Sequence, residues 1–596
     1  MPALLIQLSI SKVDPIYQRF SVYKPAYLFA QKHNVVNENL KKVHLLFRIL
    51  AIGLGMLHVY AAITSQSMNA DGISYLDIGD AYFRADWVNA INPVWSPLYS
   101  WILGFANFVI RPSIQWEFPV VHLVNFTIYL LALSSFEFLW RGVRTDEAPS
   151  KYYTLSDSLW WTLGYLLFIW ISLGLIEIWS VTPDMLMATF VFLAGGLIAR
   201  MRRGEVSSWS FLSLGLILGL GYLSKSFMFS TAIVFLALAW LVQQRSGGKI
   251  VLAVGVFILI SLPFIVLISE EKNKFTIGES GTVTYLRYVN GMPFPHWQGD
   301  LQRGITPKHP SRIVHQSPVI YEFDGPIGGT YPISTDPSYW YEGVEPRFDI
   351  ASLLTRLLAS GFVYAELFFH QQGILVACIF ALYMMRQEEK YTLQQTLKRW
   401  ALVIPALIAF GLYGTVLVEG RYVGAFILLF WADILGNVRI PNVPANGRWL
   451  RVLSLIAAFG LLTNIILFNL DGFTRLNPSL QSNLDAVAAP DAKPIAVAQT
   501  LQGLGVEQGD KVGVIGYAYD SFWARLARVR IVAEMLEVDA EDFWQGDETL
   551  RQGVMQSFAN TGVDAVVAEY VPDDAGLHDW HQVENSNYYI YVFTAP

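Results

Sequence analysis

The sequence has little cysteine and little charge, and both shortages limit what the protein can be. Cys378 is the one cysteine among 596 residues, which excludes an intrachain disulfide and a thiolate metal site. Charged residues make up 15% of the chain and hydrophobic residues 54%, so the chain is too apolar for a soluble protein of this length. A net charge of -7 with no basic stripe argues against nucleic-acid binding.

Long apolar runs and many aromatic residues take the place of that charge. The 19 Trp and 29 Tyr fit the interfacial belts of a membrane protein. A spanning helix needs about 20 mostly apolar residues, and Lys and Arg gather in cytoplasmic loops. The two rules together predict about eleven spans, with the N-terminus inside and the C-terminus outside. The predicted spans are roughly 44–64, 117–140, 158–177, 184–200, 209–223, 227–243, 250–268, 370–385, 400–417, 422–437 and 451–469.

Two further apolar runs are predicted not to cross. The run 97–110 is short for a span, so we expect a surface or re-entrant helix there. The stretch 350–368 is amphipathic and is expected to lie in the membrane interface. These assignments leave two long external loops, at 65–116 and 269–352. A structureless loop as long as the second is unusual unless it binds something.

Three regions follow along the chain. Residues 1–43 are predicted to be a cytoplasmic N-terminal segment without a cleavable signal peptide, and 44–470 a transmembrane domain. Composition changes after about 475, and 475–596 reads as an extracytoplasmic α/β domain. The predicted strands of that domain are 511–516, 529–532, 563–568 and 588–593. The fold class is therefore mainly α: a polytopic helical bundle with a small C-terminal α/β domain.

Residues 69–80, just after the first apolar run, gather carboxylates at the edge of the membrane. Ionisable groups in that position are candidates for function. Asp71 is the best candidate for a general base, because a carboxylate can take the proton of an attacking hydroxyl or amine. The alternative is a helix start, in which Asp71 caps a helix reaching about Tyr82 and Asp77 and Asp80 lie on its solvated face.

Cations stand at the same predicted membrane boundary. Lys225 interrupts two apolar runs, and Arg421 precedes another. Such cations suit a lipid-linked phosphate, which needs opposite charge and several donors. Snorkelling to the lipid headgroups is the alternative, and for Arg421 the nearby Glu419 also permits a local ion pair.

Other polar residues support weaker hypotheses. Asp184, after Pro183, is typical of a helix start where a carboxylate complements the helix dipole. His296 and Asp300 together are a weak metal signal. His122 and Glu137 are expected to face the bundle and to be hydrogen-bonded there.

The order of these short segments resembles the polytopic lipid-dependent glycosyltransferases typified by protein O-mannosyltransferases and the aminoarabinose transferase that modifies lipid A. Asp71 stands where the family has its acidic motif, with Tyr75 following as in relatives. The segments that carry the rest of the resemblance are the P-L-x-x-W-like Trp95 to Trp101, the P-D helix start of Thr182 to Asp184, the lysine-ended Gly219 to Lys225 and the E-R-Y-like Glu419 to Tyr422.

The resemblance implies a glycosyltransferase C-type fold and transfer of a sugar from a polyprenyl-phosphate carrier, with inversion, at the outer face. Asp71 would then be the base, Lys225 and Arg421 would hold the carrier phosphate, and Asp184, Glu419 and Tyr422 would support them. Many relatives have Asp-Glu where this chain has Asp71-Gly72. The second carboxylate is therefore lost or replaced by Asp77 or Asp80, and these two, with Tyr75, are the candidates for the acceptor side.

These residues predict a multi-pass protein of the inner membrane with its site on the extracytoplasmic side. Its partners would be the lipid bilayer, a polyprenyl-phosphate-linked sugar and a glycan, lipid or protein acceptor, with no nucleic acid. No cofactor is required by the sequence, and a divalent metal is left open. Alternatives are a transporter or flippase of lipid-linked sugars, for which no inverted repeat is evident, and a non-catalytic envelope assembly protein.

Overall fold

The computed structural model describes residues 40–63, 68–144, 151–243, 247–386 apart from 301 and 303, 391–476, 494–572 apart from 570, and 579–593 apart from 585. Of the expected N-terminal segment 1–43, only 40–43 lie within these residues. The protein is mainly helical and carries a sheet domain towards its C-terminus, so the predicted fold class is confirmed.

Helices occupy most of the chain up to residue 476. In order they are α1 (Leu40–Ile63), α2 (Ala70–Phe83), α3 (Trp87–Ala90), α4 (Pro97–Ile110), α5 (Ile114–Val143), α6 (Asp157–Trp170, continued by the π-helical Ile171–Leu175), α7 (Asp184–Arg202), α8 (Ser208–Ser224), α9 (Met228–Val242), α10 (Gly247–Glu271), α11 (Ser280–Tyr288), α12 (Pro332–Thr335), α13 (Pro337–Trp340), α14 (Ile350–Ala365, continued by the π-helical Glu366–His370), α15 (Gly373–Met384), α16 (Leu393–Arg399), α17 (Val403–Gly414), α18 (Gly420–Gly436) and α19 (Pro444–Leu476).

Within the described residues, 7 of these helices are long and apolar enough to cross a membrane, or 8 if the bent pair α16 and α17 forms one span. The protein is therefore a multi-pass membrane protein, while the span number and the orientation remain predictions. The predicted spans 209–223, 227–243, 370–385 and 422–437 fall on helices of 17, 15, 12 and 17 residues, which are shorter than these candidate spans. Another helix differs in the opposite direction. Ile350–His370, predicted to lie in the interface, is 21 residues long and passes the test for a span.

The helix α4 is too short to cross the hydrocarbon core and packs against α2. Its 14 residues span about 21 Å, against a core of about 30 Å. The two helices meet at a pair of glycines, because a Cβ on Gly79 would lie 2.7 Å from the carbonyl oxygen of Ser100, and one on Gly104 would lie 2.6 Å from that of Gly79. This close crossing ties the helix that carries Asp71 to the short helix beside it.

Both long loops of the sequence contribute to ordered structure, and the second one joins the C-terminal sheet. Seven described strands follow the order β2-β3-β6-β5-β7-β9-β8, with β5 parallel to β6 and β7 and the other pairs antiparallel. We call this sheet and its helices the sheet domain. Its strands are β2 (Arg312–Gln316), β3 (Val319–Glu322), β5 (Lys511–Gly516), β6 (Arg530–Leu536), β7 (Ala565–Ala568), β8 (His581–Gln582) and β9 (Tyr589–Val592).

The helices of the sheet domain are α20 (Pro494–Gly503), α21 (Phe522–Ala527), α22 (Glu537–Gln545) and α23 (Glu548–Asn560), and a separate short pair joins β1 (Tyr152–Tyr153) to β4 (Ile440–Pro441). The four strands predicted after residue 475 are all present as β5, β6, β7 and β9. The hairpin of β2 and β3, which comes from the loop 269–352, was not predicted. It pairs with β6 through Tyr321 and Glu534.

Candidate functional site

The start of α2 brings Asp71 close to the start of α7. The side chain of Asn69 accepts a hydrogen bond from the backbone of Val181 at 2.9 Å and donates one back to its carbonyl at 3.2 Å. Because Asp184 follows three residues later, this clamp holds the two carboxylates at one place. The prediction that Asp71 caps the helix is wrong by two residues, since Asn69 is the cap position and Asp71 lies in the first turn.

Gly72 is required by the same packing. A Cβ at this position would lie 2.7 Å from both Cβ of Val181 and Sδ of Met68. Real side chains do not approach this closely, so the segment cannot accept the glutamate that relatives are expected to carry here without a shift of the clamped turn. A larger side chain at position 72 would therefore displace Val181 or Met68 in this chain.

Asp71 and Asp184 line a cavity of about 620 Å³ between the helix ends and the loop 269–352. Its lining includes the sequence candidates Tyr75, Lys225, Glu419, Arg421 and Tyr422. The lining also includes apolar side chains, among them Phe227, Leu412 and Val416. Six charged side chains line it: Asp71, Asp184, Lys225, Arg287, Glu419 and Arg421.

The cation pair predicted from the sequence is held by carboxylates inside this cavity. Lys225 forms an ion pair with Asp184, whose side chain is only 1% exposed. The other oxygen of Asp184 has no hydrogen-bond partner among the described residues and lies 3.9 Å from Arg421. The ammonium of Lys225 also sits 3.8 Å from the ring centroid of Tyr422, a cation–π distance.

Arg421 connects the carboxylates of three different segments. Its guanidinium lies 3.2 Å from Oδ2 of Asp71 and 2.7 Å from Oε2 of Glu419. It also donates to the hydroxyl of Tyr422 at 3.2 Å. Glu419 is the cap position of α18, which explains how the E-R-Y-like segment reaches the cavity. The structure thus brings together Asp71, Tyr75 and every cation and supporting residue predicted from the sequence.

Two polar residues that line the cavity, Arg287 and Tyr519, are not among the candidates of the sequence analysis. Arg287 is on α11, and Tyr519 follows strand β5 of the sheet domain. No carboxylate pairs with Arg287 among the described residues; its guanidinium lies 4.6 Å from the ring centroid of Phe294. Neither residue has a sequence signal of its own, because an arginine in a polar loop and a tyrosine after a strand are common on surfaces.

Asp77 and Asp80 do not join Asp71 in the cavity. They face the sheet domain, where Arg525 lies 2.7 Å from Oδ1 of Asp77, 2.6 Å from Oδ2 of Asp80 and 2.8 Å from Oε1 of Glu117. Arg528 contacts Asp80 and Glu117 as well. We call these five residues the ion-pair cluster. The carboxylates that could have replaced the missing acid at position 72 are therefore occupied by arginines.

The weaker hypotheses have mixed outcomes. Nε2 of His296 donates to the carboxylate of Glu534 at 2.7 Å, and its Nδ1 shares a hydrogen bond with the hydroxyl of Ser311 at 3.0 Å. Within the described part of the chain, no group of three or more His, Cys, Asp or Glu is placed to hold a metal ion. Glu137 accepts hydrogen bonds from Tyr165 and Arg141, as expected. His122 is buried in the bundle as expected, but the predicted hydrogen bond is wrong, since neither ring nitrogen has a partner among these residues.

Comparison with known proteins gives similar structures and no similar sequence. No protein-family model matches the chain, and no curated protein matches it. It is similar to the crystal structure of ArnT from Cupriavidus metallidurans bound to undecaprenyl phosphate, with 12% identity, 91% of this chain and 97% of that chain covered, and a TM-score of 0.47.

The oligosaccharyltransferase of Archaeoglobus fulgidus is also similar. The form tethered to an acceptor peptide has 10% identity, covers 87% of this chain and 69% of that chain, and has a TM-score of 0.38. AglB of the same organism, in complex with an inhibitory peptide and a dolichol-phosphate, has 10% identity, coverage of 88% and 69%, and a TM-score of 0.37.

Proposed function

We propose that the chain is a membrane glycosyltransferase that transfers a monosaccharide from a polyprenyl-phosphate carrier to an acceptor, with inversion at the anomeric carbon. The observation that carries this proposal is the cavity itself. A carboxylate with an accessible oxygen, three cations and an apolar side meet in one space of about 620 Å³ at the ends of apolar helices. A phosphate joined to a long apolar tail requires that combination of surfaces.

The carrier phosphate would lie against Arg287, Lys225 and Arg421. A phosphodiester presents oxygens that accept several charge-assisted hydrogen bonds, and arginine offers two parallel donors. Lys225 and Arg421 are oriented by Asp184 and Glu419, so they are held in place before the ligand arrives. Among the described residues no carboxylate pairs with Arg287, whose side chain contacts Phe294 and Tyr519, so its charge is available to the phosphate. The apolar residues Phe227, Leu412 and Val416 would receive the first part of the polyprenyl chain.

Asp71 would act as the general base. Arg421 contacts one of its oxygens at 3.2 Å, which orients the carboxylate and leaves its other oxygen for the acceptor. As the acceptor oxygen bonds to the anomeric carbon, its proton passes to Asp71 and the bond from that carbon to the phosphate oxygen breaks. The polyprenyl phosphate leaves with the electron pair, and the cations stabilise the negative charge that develops on it.

The orientation deduced from the positive residues completes the proposal. With the N-terminus inside and about eleven spans, the cavity and the sheet domain face the extracytoplasmic side of the inner membrane. Residues 1–43, 44–470 and 475–596 would then be the cytoplasmic segment, the catalytic membrane domain and the extracytoplasmic domain. The strands β2 and β3 indicate that the loop 269–352 also belongs to the last of these.

The test compares a strain that lacks the gene with its parent and with complemented strains. Mass spectrometry of envelope glycans and glycolipids should show one sugar missing from the deletion strain, restored by the wild-type gene and absent with Asp71→Asn. The purified variant should keep the thermal shift that undecaprenyl phosphate gives the wild type, because the cations remain.

The outcomes separate the proposal from its rivals. Restoration of the sugar by Asp71→Asn would contradict the role of Asp71 as base. A lipid-linked sugar that accumulates on one face, with no transfer by the wild-type protein in liposomes, would favour a flippase.

A further inference from the structure

The segment that crosses from β5 to β6, residues 517–529, connects the sheet domain to the cavity. Tyr519 of this segment lines the cavity with Asp71, although the two residues lie 448 positions apart in the chain. Its ring packs edge-on against Phe294 at 5.6 Å and Tyr331 at 6.4 Å between centroids. Burial and the nearby Asp71 carboxylate raise the pKa of Tyr519 and outweigh the charge and hydrogen bond of Arg287, which lower it, so the hydroxyl keeps its proton and can donate a hydrogen bond.

Both sides of Tyr519 are anchored by buried contacts. On one side, the backbone of Ala518 donates to Oε1 of Glu534 at 3.0 Å, and Tyr331 donates to the same carboxylate at 2.7 Å. On the other side, Arg525 is held by the carboxylates of α2 and α5. Because α2 also carries Asp71, the ion-pair cluster fixes the sheet domain to the very helix that would supply the base. These contacts on both sides fix the position of Tyr519 at the cavity.

The charges of the cavity restrict what can enter beside Tyr519. Three carboxylates and three cations line it, so its formal charge is zero before any ligand binds. A carrier phosphodiester bound against Arg287, which has no described carboxylate partner, makes the formal charge of the cavity -1. A second anion next to Asp71 would have no cation left and would be repelled. The acceptor group is consequently expected to be neutral.

We infer that the sheet domain supplies Tyr519 as the residue that contacts the acceptor beside Asp71, and that the acceptor group received there is an uncharged hydroxyl. The inference rests on the proposed function and identifies its acceptor side. In the transfer, the oxygen of that hydroxyl forms the new bond to the anomeric carbon, its proton goes to Asp71, and polyprenyl phosphate is released. Tyr519 positions the acceptor through its ring and hydroxyl and takes no proton.

The experiment uses Tyr519→Ala and Tyr519→Phe, with Tyr517→Ala as the matched control. Tyr517 lies on the same segment, is 46% exposed and does not line the cavity, and its ring lies 6.0 Å from that of Tyr519 between centroids, so this variant also controls for a loss of packing around Tyr519. Each variant complements the deletion strain, and the transferred sugar is quantified by mass spectrometry. Purified proteins are tested for thermal stability and for the thermal shift given by undecaprenyl phosphate.

We expect Tyr519→Ala to lower the transferred sugar at least about tenfold, since a misplaced acceptor loses the advantage of orientation. Tyr519→Phe should lose less, Tyr517→Ala should match the wild type, and the shift given by undecaprenyl phosphate should be unchanged in all three. Wild-type transfer by both folded Tyr519 variants would overturn the inference, and so would a loss of the undecaprenyl phosphate shift.

The linkage of the product tests the second part of the inference, that the acceptor group is an uncharged hydroxyl. A glycosidic bond to a hydroxyl, stable to mild acid, is expected, whereas an acid-labile sugar phosphate would overturn it. If the wild-type gene itself restores no sugar, the proposed function fails, and that result is distinct from any difference among the Tyr519 variants.

Discussion

Helix α2 carries aspartates at two places that differ in their exposure to solvent and in their charged partners. At its first turn, Asp71 is 24% exposed in a cavity with mixed charges. Two turns later, Asp77 and Asp80 belong to the ion-pair cluster, where Glu117 is 1% and Arg525 4% exposed. The first place leaves a carboxylate oxygen accessible, and the second leaves no charge without a partner of opposite sign.

The difference lies in what each carboxylate meets, and it separates a reactive group from a structural one. A buried cluster of three carboxylates and two arginines keeps its charges only while every member is present. A carboxylate beside a cavity, oriented by one arginine, can exchange a proton with a ligand. We therefore expect substitutions at the two ends of one helix to have opposite consequences.

The largest effect should come from making the same substitution, Asp to Asn, at Asp71 and at Asp77. Asp71→Asn should lower transfer by about 10²–10⁴-fold, the usual contribution of a general base, without a change in thermal stability. Asp77→Asn should lower the melting temperature, because Arg525 loses a charged partner, while the protein that remains folded should still transfer sugar. Glycan analysis and thermal unfolding of both purified variants would check the pair, and a loss of stability in Asp71→Asn would break the comparison.

The sequence predicted one end of α2 better than the other for a physical reason. Lys225 and Arg421 interrupt or border apolar runs, so the cost of their charge near a membrane marked them as candidates. Arg525 and Arg528 lie in a segment with the composition of a soluble domain. A charged residue there has no free-energy cost of membrane burial, so its presence does not indicate a functional role. Their partners on α2 are about 450 residues away, and no periodicity reveals such a pairing.

The same limit explains the sheet domain. Alternation and β-branched residues identified β5, β6, β7 and β9 correctly. The hairpin of β2 and β3 was missed because the Pro, Gly and aromatic content of the loop 269–352 as a whole favours irregular structure, although the short runs Ile313-Val314 and Val319-Ile320-Tyr321 have strand-forming residues. The hairpin is stabilised by its pairing with β6, which is a tertiary contact that the local sequence does not encode.

The second largest effect should come from removing one arginine from the ion-pair cluster and one from the cavity. Arg525→Leu leaves three carboxylates near each other with one fewer cation, and should cost about 3–5 kcal/mol of stability. Arg287→Leu removes a cation without a described carboxylate partner, so it should leave the melting temperature nearly unchanged and weaken binding of undecaprenyl phosphate about tenfold. Thermal unfolding with and without that lipid would check both, and equal melting temperatures for the two variants would contradict the division.

Gly72 offers a third, smaller effect at the clamp that holds Asp71 near Asp184. Gly72→Ala places a methyl group 2.7 Å from Cβ of Val181 and should cost about 1–3 kcal/mol. Gly53→Ala is the matched control, because nothing lies within 4 Å of its new Cβ. The double variant Gly72→Ala, Val181→Ala should recover only a small part of the loss, since it removes Cγ1 of Val181 at 2.9 Å and leaves Cβ of Val181 and Sδ of Met68 at 2.7 Å. Equal melting temperatures for the two single variants would show that the clamp adapts freely.

The smallest effect concerns a carboxylate that resembles neither region, Glu569 at the end of β7. Burial raises its pKa to about 7, and the carboxylates of Asp520 and Glu537 act in the same direction. No ion pair with a cation is found for it within the described part of the chain, so it shows what a buried carboxylate does when no arginine reaches it. In the unfolded chain the same group titrates near its usual value of 4.5.

The sign of the pH dependence follows from that pair of pKa values. Between about pH 4.5 and 7 the folded protein holds a proton that the unfolded chain has lost, so stability falls as the pH rises through this window. Glu569→Gln keeps a neutral side chain at every pH. It should match the wild type near pH 4.5 and be more stable near pH 8 by on the order of 1 kcal/mol, reduced by the partial exposure of the group. Melting temperatures across this range would check it, and an equal difference between the two proteins at both ends would mean that Glu569 titrates normally, as a solvated carboxylate does.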